Sequence, residues 1–146
     1  MLGLRLTIAA LALSAPGLAA AQDGAAMRRM MKELGADTLS GKKLDRAIEK
    51  AKEHPFGGDK NPVRANGPQG QRAYLRRLRC ADNTAPQFER AGSTGIGPYG
   101  TILDLYSVQC GDAPAAKVYM DMYHEHIEAA PVPGFAIVPP EGEQPV

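Results

Sequence analysis

The sequence predicts an α+β protein: a helix packed on a small three-stranded antiparallel sheet with one disulfide, preceded by an N-terminal helical segment. Three observations lead there. After Pro68, apolar residues recur at three- and four-residue spacing, which places Tyr74, Leu75 and Leu78 on one side of a helix. The stretches 101–110 and 116–124 instead alternate apolar and polar residues around a turn at Gly111-Asp112 and Pro114. Two cysteines, Cys80 and Cys110, stand in a chain whose first residues read as an export signal.

That signal spans residues 1–21. Arg5 supplies a positive start, and Leu6 through Ala15 form an apolar run of ten residues. Such a run is too short to span a bilayer, which takes ~20 residues. Pro16 and Gly17 break it ahead of Ala19-Ala20-Ala21, a small-x-small pattern that predicts cleavage after Ala21 and a periplasmic or secreted protein. Residues 22–60 read as a helical segment and a linker. Met27, Met30, Met31 and Leu34 recur at helical spacing before Gly35. Ser40 is placed to cap a second helix whose apolar stripe is Leu44, Ala47, Ile48 and Ala51. Pro55 ends it, and Phe56 to Pro62 has the glycine and proline content of a linker.

Residues 61–135 form the expected domain. A helix from Pro68 to about Leu78 is followed by strands at Gln87–Ala91, Thr101–Cys110 and Ala116–His124. The last places Val118, Met120, Met122 and His124 on one face, and Asp121 on the other. The core is small, and in an oxidising compartment a Cys80–Cys110 disulfide reinforces it; no Cys-x-x-Cys motif points to redox or metal chemistry. From Pro131 onward the chain holds five of its twelve prolines, so 136–146 reads as a disordered tail.

The chain of 146 residues carries 17 Lys and Arg against 16 Asp and Glu, without the basic excess of a dedicated nucleic-acid binder. The charges are segregated. Residues 60–90 hold seven basic and two acidic groups, and residues 91–146 hold one basic and seven acidic. Segments of opposite sign are expected to face one another in the fold.

Several runs resemble a family of small exported bacterial proteins with no assigned activity. They are Asn61-Pro62-Val63-Arg64, Gln71-Arg72-Ala73-Tyr74-Leu75, Leu78-Arg79-Cys80, Arg90-Ala91-Gly92-Ser93, Gly97-Pro98-Tyr99-Gly100 and Tyr119-Met120-Asp121-Met122-Tyr123. The resemblance covers about residues 61–135. It implies an exported single domain and carries over no catalytic residue.

Three constellations bear on function. Arg72, Arg76 and Arg79 lie at i, i+4 and i+7 and could meet a small acidic ligand. The loop Gly92 to Gly100, with Ser93, Thr94 and Tyr99, reads as a long connection able to serve as a recognition surface. Met120, Met122, His124 and His126, if they share a strand face, offer the soft donors that suit Cu(I). No Gly-x-Ser-x-Gly or His-Glu-x-x-His motif is present. The reading is therefore a non-catalytic binding module of the cell envelope, with no cofactor and an envelope protein or small acidic ligand as partner. A copper-handling protein and a small hydrolase are the alternatives.

Overall fold

The structure is a computed structural model and describes residues 29–30, 32–33 and 37–140. The expected signal peptide, most of the first helix and the last six residues lie outside the described residues. By its contacts the chain divides into two compact units, Met1–Leu34 and Gly35–Val146. In the first, residues 29, 30, 32 and 33 are helical and exposed.

The second unit begins with the extended residues 37–40, followed by α1 (Gly41–Ala51). Ser40 occupies the N-cap position, yet its side chain makes no capping bond. Only Ala51 of the expected apolar stripe is fully buried; Leu44, Ala47 and Ile48 are half-buried. Then follow β1 (Val63–Arg64), α2 (Gly67–Arg77), β2 (Leu78–Arg79), β3 (Gln87–Ile96), β4 (Ile102–Gln109), β5 (Ala116–Asp121) and β6 (Ala136–Ile137).

The α+β architecture is as expected, with two additions to the sheet. The antiparallel trio β5, β4 and β3 is extended by β1, which runs parallel to β5, so the sheet is four-stranded and mixed in the order β1-β5-β4-β3. A second, two-stranded sheet pairs β2 with β6, with Leu78 opposite Ile137 and Arg79 opposite Ala136. The tail expected to be disordered thus supplies a strand at 136–137. The stretch expected to be a linker is also tied down. Tyr119 N–H donates to the Gly57 carbonyl at 2.8 Å, and the Asn61 side-chain amide donates to the His54 carbonyl at 2.9 Å. Composition marks where a chain can bend, and these carbonyls show that the bent chain still finds partners.

The glycine-rich run divides differently from the expected loop. Residues 92–96 continue β3, with a register shift between Arg90 and Gly92, where Gly92 holds φ +145°. Only Gly97 to Thr101 form the connection, closed by Gly97 N–H donating to the Thr101 carbonyl at 2.8 Å. Gly100 is at φ +77° with the Asp37 carbonyl packed on it, so a Cβ there would clash with the backbone of the strap at 37–40.

The core lies between α2 and the sheet. Tyr74, Leu75 and Leu78 meet Val63, Tyr106, Val108, Val118 and Met120, with Val132 closing one side. Gln71 sits on the same helix face, fully buried, and its Oε1 accepts the Tyr106 hydroxyl at 3.1 Å. Cys80 and Cys110 are joined, with Cα atoms 5.8 Å apart and a sequence separation of 30. The bond links the end of β2 to the end of β4, across a core too small to be indifferent to it. Replacing both cysteines by serine should lower the unfolding free energy by about 3–4 kcal/mol on the chain-entropy estimate. Urea unfolding of wild type and double variant measures this; equal stabilities would contradict it.

Candidate functional site

Arg72, Arg76 and Arg79 were expected as one stripe, and the structure regroups them. The helix stops at Arg77, and Leu78 turns extended at φ −65°, ψ 148°. Arg79 therefore lies on a strand, where helical spacing no longer applies. The resulting cluster is Arg64 on β1, Arg76 and Arg77 in the last turn of α2, and Arg79 on β2; Arg72 is not part of it. These four arginines line a groove of about 380 Å³. Its other walls are Tyr74, the segment His126-Ile127-Glu128 and the chain at 138–140.

Two of the arginines are held in place by neutral acceptors. Arg77 donates from Nε to the Val138 carbonyl at 2.8 Å and from Nη1 to the Glu128 carbonyl at 2.9 Å. Arg79 donates from Nη1 to the carbonyls of Arg76 and Leu78, each at 2.8 Å. A carbonyl orients a guanidinium without cancelling its charge. Arg76 and Arg77 also sit where the free carbonyls of a helix end favour cations, which is reason enough for two of them to be there.

The acidic half of the chain was expected to neutralise this basic segment. Asp104, Asp121 and Glu128 have other partners. Asp104, buried on β4, takes Arg90 Nη2 at 2.7 Å, the one ion pair between the two segments among the described residues. Asp121 pairs with His124, and Glu128 Oε2 lies 3.4 Å from His126 Nε2. Among the described residues, Glu128 is the single carboxylate lining the groove. Its Oε1 accepts the backbone N–H groups of Ala129 and Ala130, at 2.9 and 3.0 Å. A larger cleft of about 700 Å³ lies between α1 and the β3–β4 hairpin, but its charged lining is mixed, Lys50 and Lys60 with Asp59. Four cations against one carboxylate single out the arginine groove.

The recognition loop is otherwise occupied. Tyr99 is buried, its ring edge-on to His124 at 5.8 Å between centroids, and burial raises the pKa of its hydroxyl. Ser93 Oγ accepts from Arg90 at 2.7 Å, and Thr94 Oγ1 donates to the Leu103 carbonyl at 3.2 Å. These hydroxyls serve strand pairing and the Arg90–Asp104 pair.

Nor do Met120, Met122, His124 and His126 share a strand face. β5 ends at Asp121, so the two-residue alternation stops there. Met120 is fully buried in the core, Met122 and His126 are half-buried, and both ring nitrogens of His124 have protein partners. Among the described residues, no group of three or more His, Cys, Asp or Glu is placed to hold a metal ion.

The early end of β5 also overturns the placing of Asp121 and His124 on opposite faces. The chain turns back, with Tyr123 N–H donating to Asp121 Oδ1 at 2.7 Å, and His124 Nδ1 reaches Asp121 Oδ2 at 2.5 Å. His124 Nε2 lies 2.9 Å from the Leu39 carbonyl. Both partners are acceptors, so only the imidazolium, which donates from both nitrogens, satisfies both. The Asp121 carboxylate accordingly raises the His124 pKa, against the opposing effect of burial, and the Leu39 carbonyl adds to the rise. Sequence reasoning missed this pair, along with Arg64, Arg77 and buried Asp104. For Arg77 a signal existed, since Arg76-Arg77 directly precedes the extended Leu78.

Comparison of the chain with family models, with curated proteins and with solved structures finds no match.

A histidine whose pKa is raised on folding stabilises the fold fully below its unfolded value of 6.5 and loses that contribution as pH rises through the folded value. Stability should therefore fall as pH rises above 6.5 in the wild type and stay flatter in His124→Gln. Chemical denaturation across that range tests this; identical slopes would contradict it.

Proposed function

We propose that this protein is an exported, non-catalytic binding module that holds the anionic group of a small acidic ligand in the arginine groove. The observation that carries the reading is the groove's uncompensated charge. Arg64, Arg76, Arg77 and Arg79 line one concavity with a single carboxylate among the described residues, and that carboxylate is itself engaged by His126 and two backbone N–H groups. Its volume lies within the ~300–1,000 Å³ range of small-molecule sites. Arg77 and Arg79 are already oriented by carbonyls, so less side-chain freedom is lost when a ligand arrives.

The non-catalytic part of the reading rests on His124. Paired with Asp121, it has the orientation of a base in a hydrolytic site, but the position a nucleophile would take at Nε2 is filled by the Leu39 carbonyl. A carbonyl has no proton to give. Export is supported by the leader-like start of the chain, and the Cys80–Cys110 bond is of the kind that persists in oxidising compartments.

Titration with inorganic phosphate, followed by two-dimensional amide NMR, should move resonances around residues 64–79 and 126–128. The variant Arg64→Gln/Arg76→Gln should weaken binding at least tenfold while keeping its spectrum folded. Shifts spread evenly over the protein, or unchanged affinity in the variant, would contradict the reading.

A further inference from the structure

The groove has two kinds of lining. Arg64, Arg76, Arg77 and Arg79 are charged, and Val138 and Ile127 are apolar. Ile127 is 72 % exposed, the most exposed of the three large exposed apolar side chains among the described residues, and it lines the charged concavity. An apolar side chain left in water next to unneutralised cations has a use if the occupant carries both chemistries. Inorganic phosphate or acetate would leave most of the apolar lining wet. A nucleobase would find no stacking platform, since Tyr74 is buried and its hydroxyl is tied to the Ala130 carbonyl at 3.0 Å.

We infer that the groove takes a small amphipathic anion: one phosphate or carboxylate head against the arginines and an apolar body along Val138 and Ile127. At ~30 Å³ for each water-sized group, a volume of about 380 Å³ accommodates about a dozen non-hydrogen atoms. This inference rests on the anion-binding reading and adds the apolar half of the ligand. Such a head and body could come from a free amphiphile or from a lipid in a membrane, and the limited volume of the groove commits it to the single molecule.

Calorimetric titration of the protein with octyl phosphate, octanoate, inorganic phosphate and octanol tests it, each amphiphile kept below its micellar concentration. Octyl phosphate should bind at least tenfold more tightly than inorganic phosphate, and octanol should not bind measurably. Ile127→Ser, a change at an exposed position, should cut octyl phosphate affinity several-fold and leave phosphate affinity unchanged. Arg76→Gln should weaken both. Equal affinities for octyl and inorganic phosphate, or no effect of Ile127→Ser, would overturn the amphiphile inference while anion binding stands. Binding of no anion at all would overturn both. Attachment to vesicles of phosphatidylcholine with phosphatidic acid, without binding of octyl phosphate, would also overturn it, by showing a surface effect of the lipid charge.

Discussion

Asp121 carries a carboxylate with none of its surface exposed, at the point where the last long strand leaves the sheet. A buried charge without partners is expensive, and removing one member of a buried pair typically costs about 3–5 kcal/mol. The chain therefore has to supply partners there, and it does so locally. Tyr123 N–H and the His124 ring both turn back to the carboxylate, while the Asp121 carbonyl accepts Ala65 N–H at 2.8 Å. One residue thus joins β1 to β5, ends β5, and sets the direction of everything from 122 onward. Through His124 it also holds Leu39, whose own N–H donates to the Tyr99 carbonyl at 3.0 Å. The strap ahead of α1 is anchored at the same node, and Gly100 leaves the room it needs.

The arginine groove is a consequence of that turn. Once directed away from the sheet, the 122–130 segment runs beside α2 and is laced to it at both ends. Gly67 N–H donates to the Met122 carbonyl, the Arg77 guanidinium to the Glu128 carbonyl, and the Tyr74 hydroxyl to the Ala130 carbonyl. Burial raises the pKa of that hydroxyl, so it stays a neutral donor. The result brings His126, Ile127 and Glu128 beside Arg76 and Arg77, with Glu128 the one carboxylate in the lining among the described residues. Charge segregation along the sequence leaves the arginines grouped there, because Asp104, Asp121 and Glu128 meet Arg90 and the histidines instead.

Much of the fold was legible in the residues, for identifiable reasons. The Tyr74, Leu75 and Leu78 spacing and the alternation in β4 and β5 are direct consequences of helix and strand geometry, and the structure keeps them. The Cys80–Cys110 pairing followed from compartment and core size. Other features depend on contacts that no local period encodes. β1 is two residues long and exists because β5 offers an edge; β6 lies among prolines and exists because β2 does. The end of β5 at Asp121 is set by a side chain bonding its own backbone two residues on, which alternation cannot reveal. The candidate copper face failed at that residue, and the arginine stripe failed at Leu78 for a similar reason, a change of period inside a continuous pattern. The partners of Asp104 are likewise not local: β3, lengthened through the glycine run, brings Arg90 and Ser93 beside it.

The account turns on His124 being an imidazolium that bridges a carboxylate and a carbonyl. Nitrogen-15 NMR of the histidine side chains, followed against pH, reads this directly. The account predicts that both ring nitrogens of His124 carry protons at pH 6.5 and that the titration midpoint lies above that ordinary value. A midpoint at or below 6.5, with one ring nitrogen already bare, would contradict it.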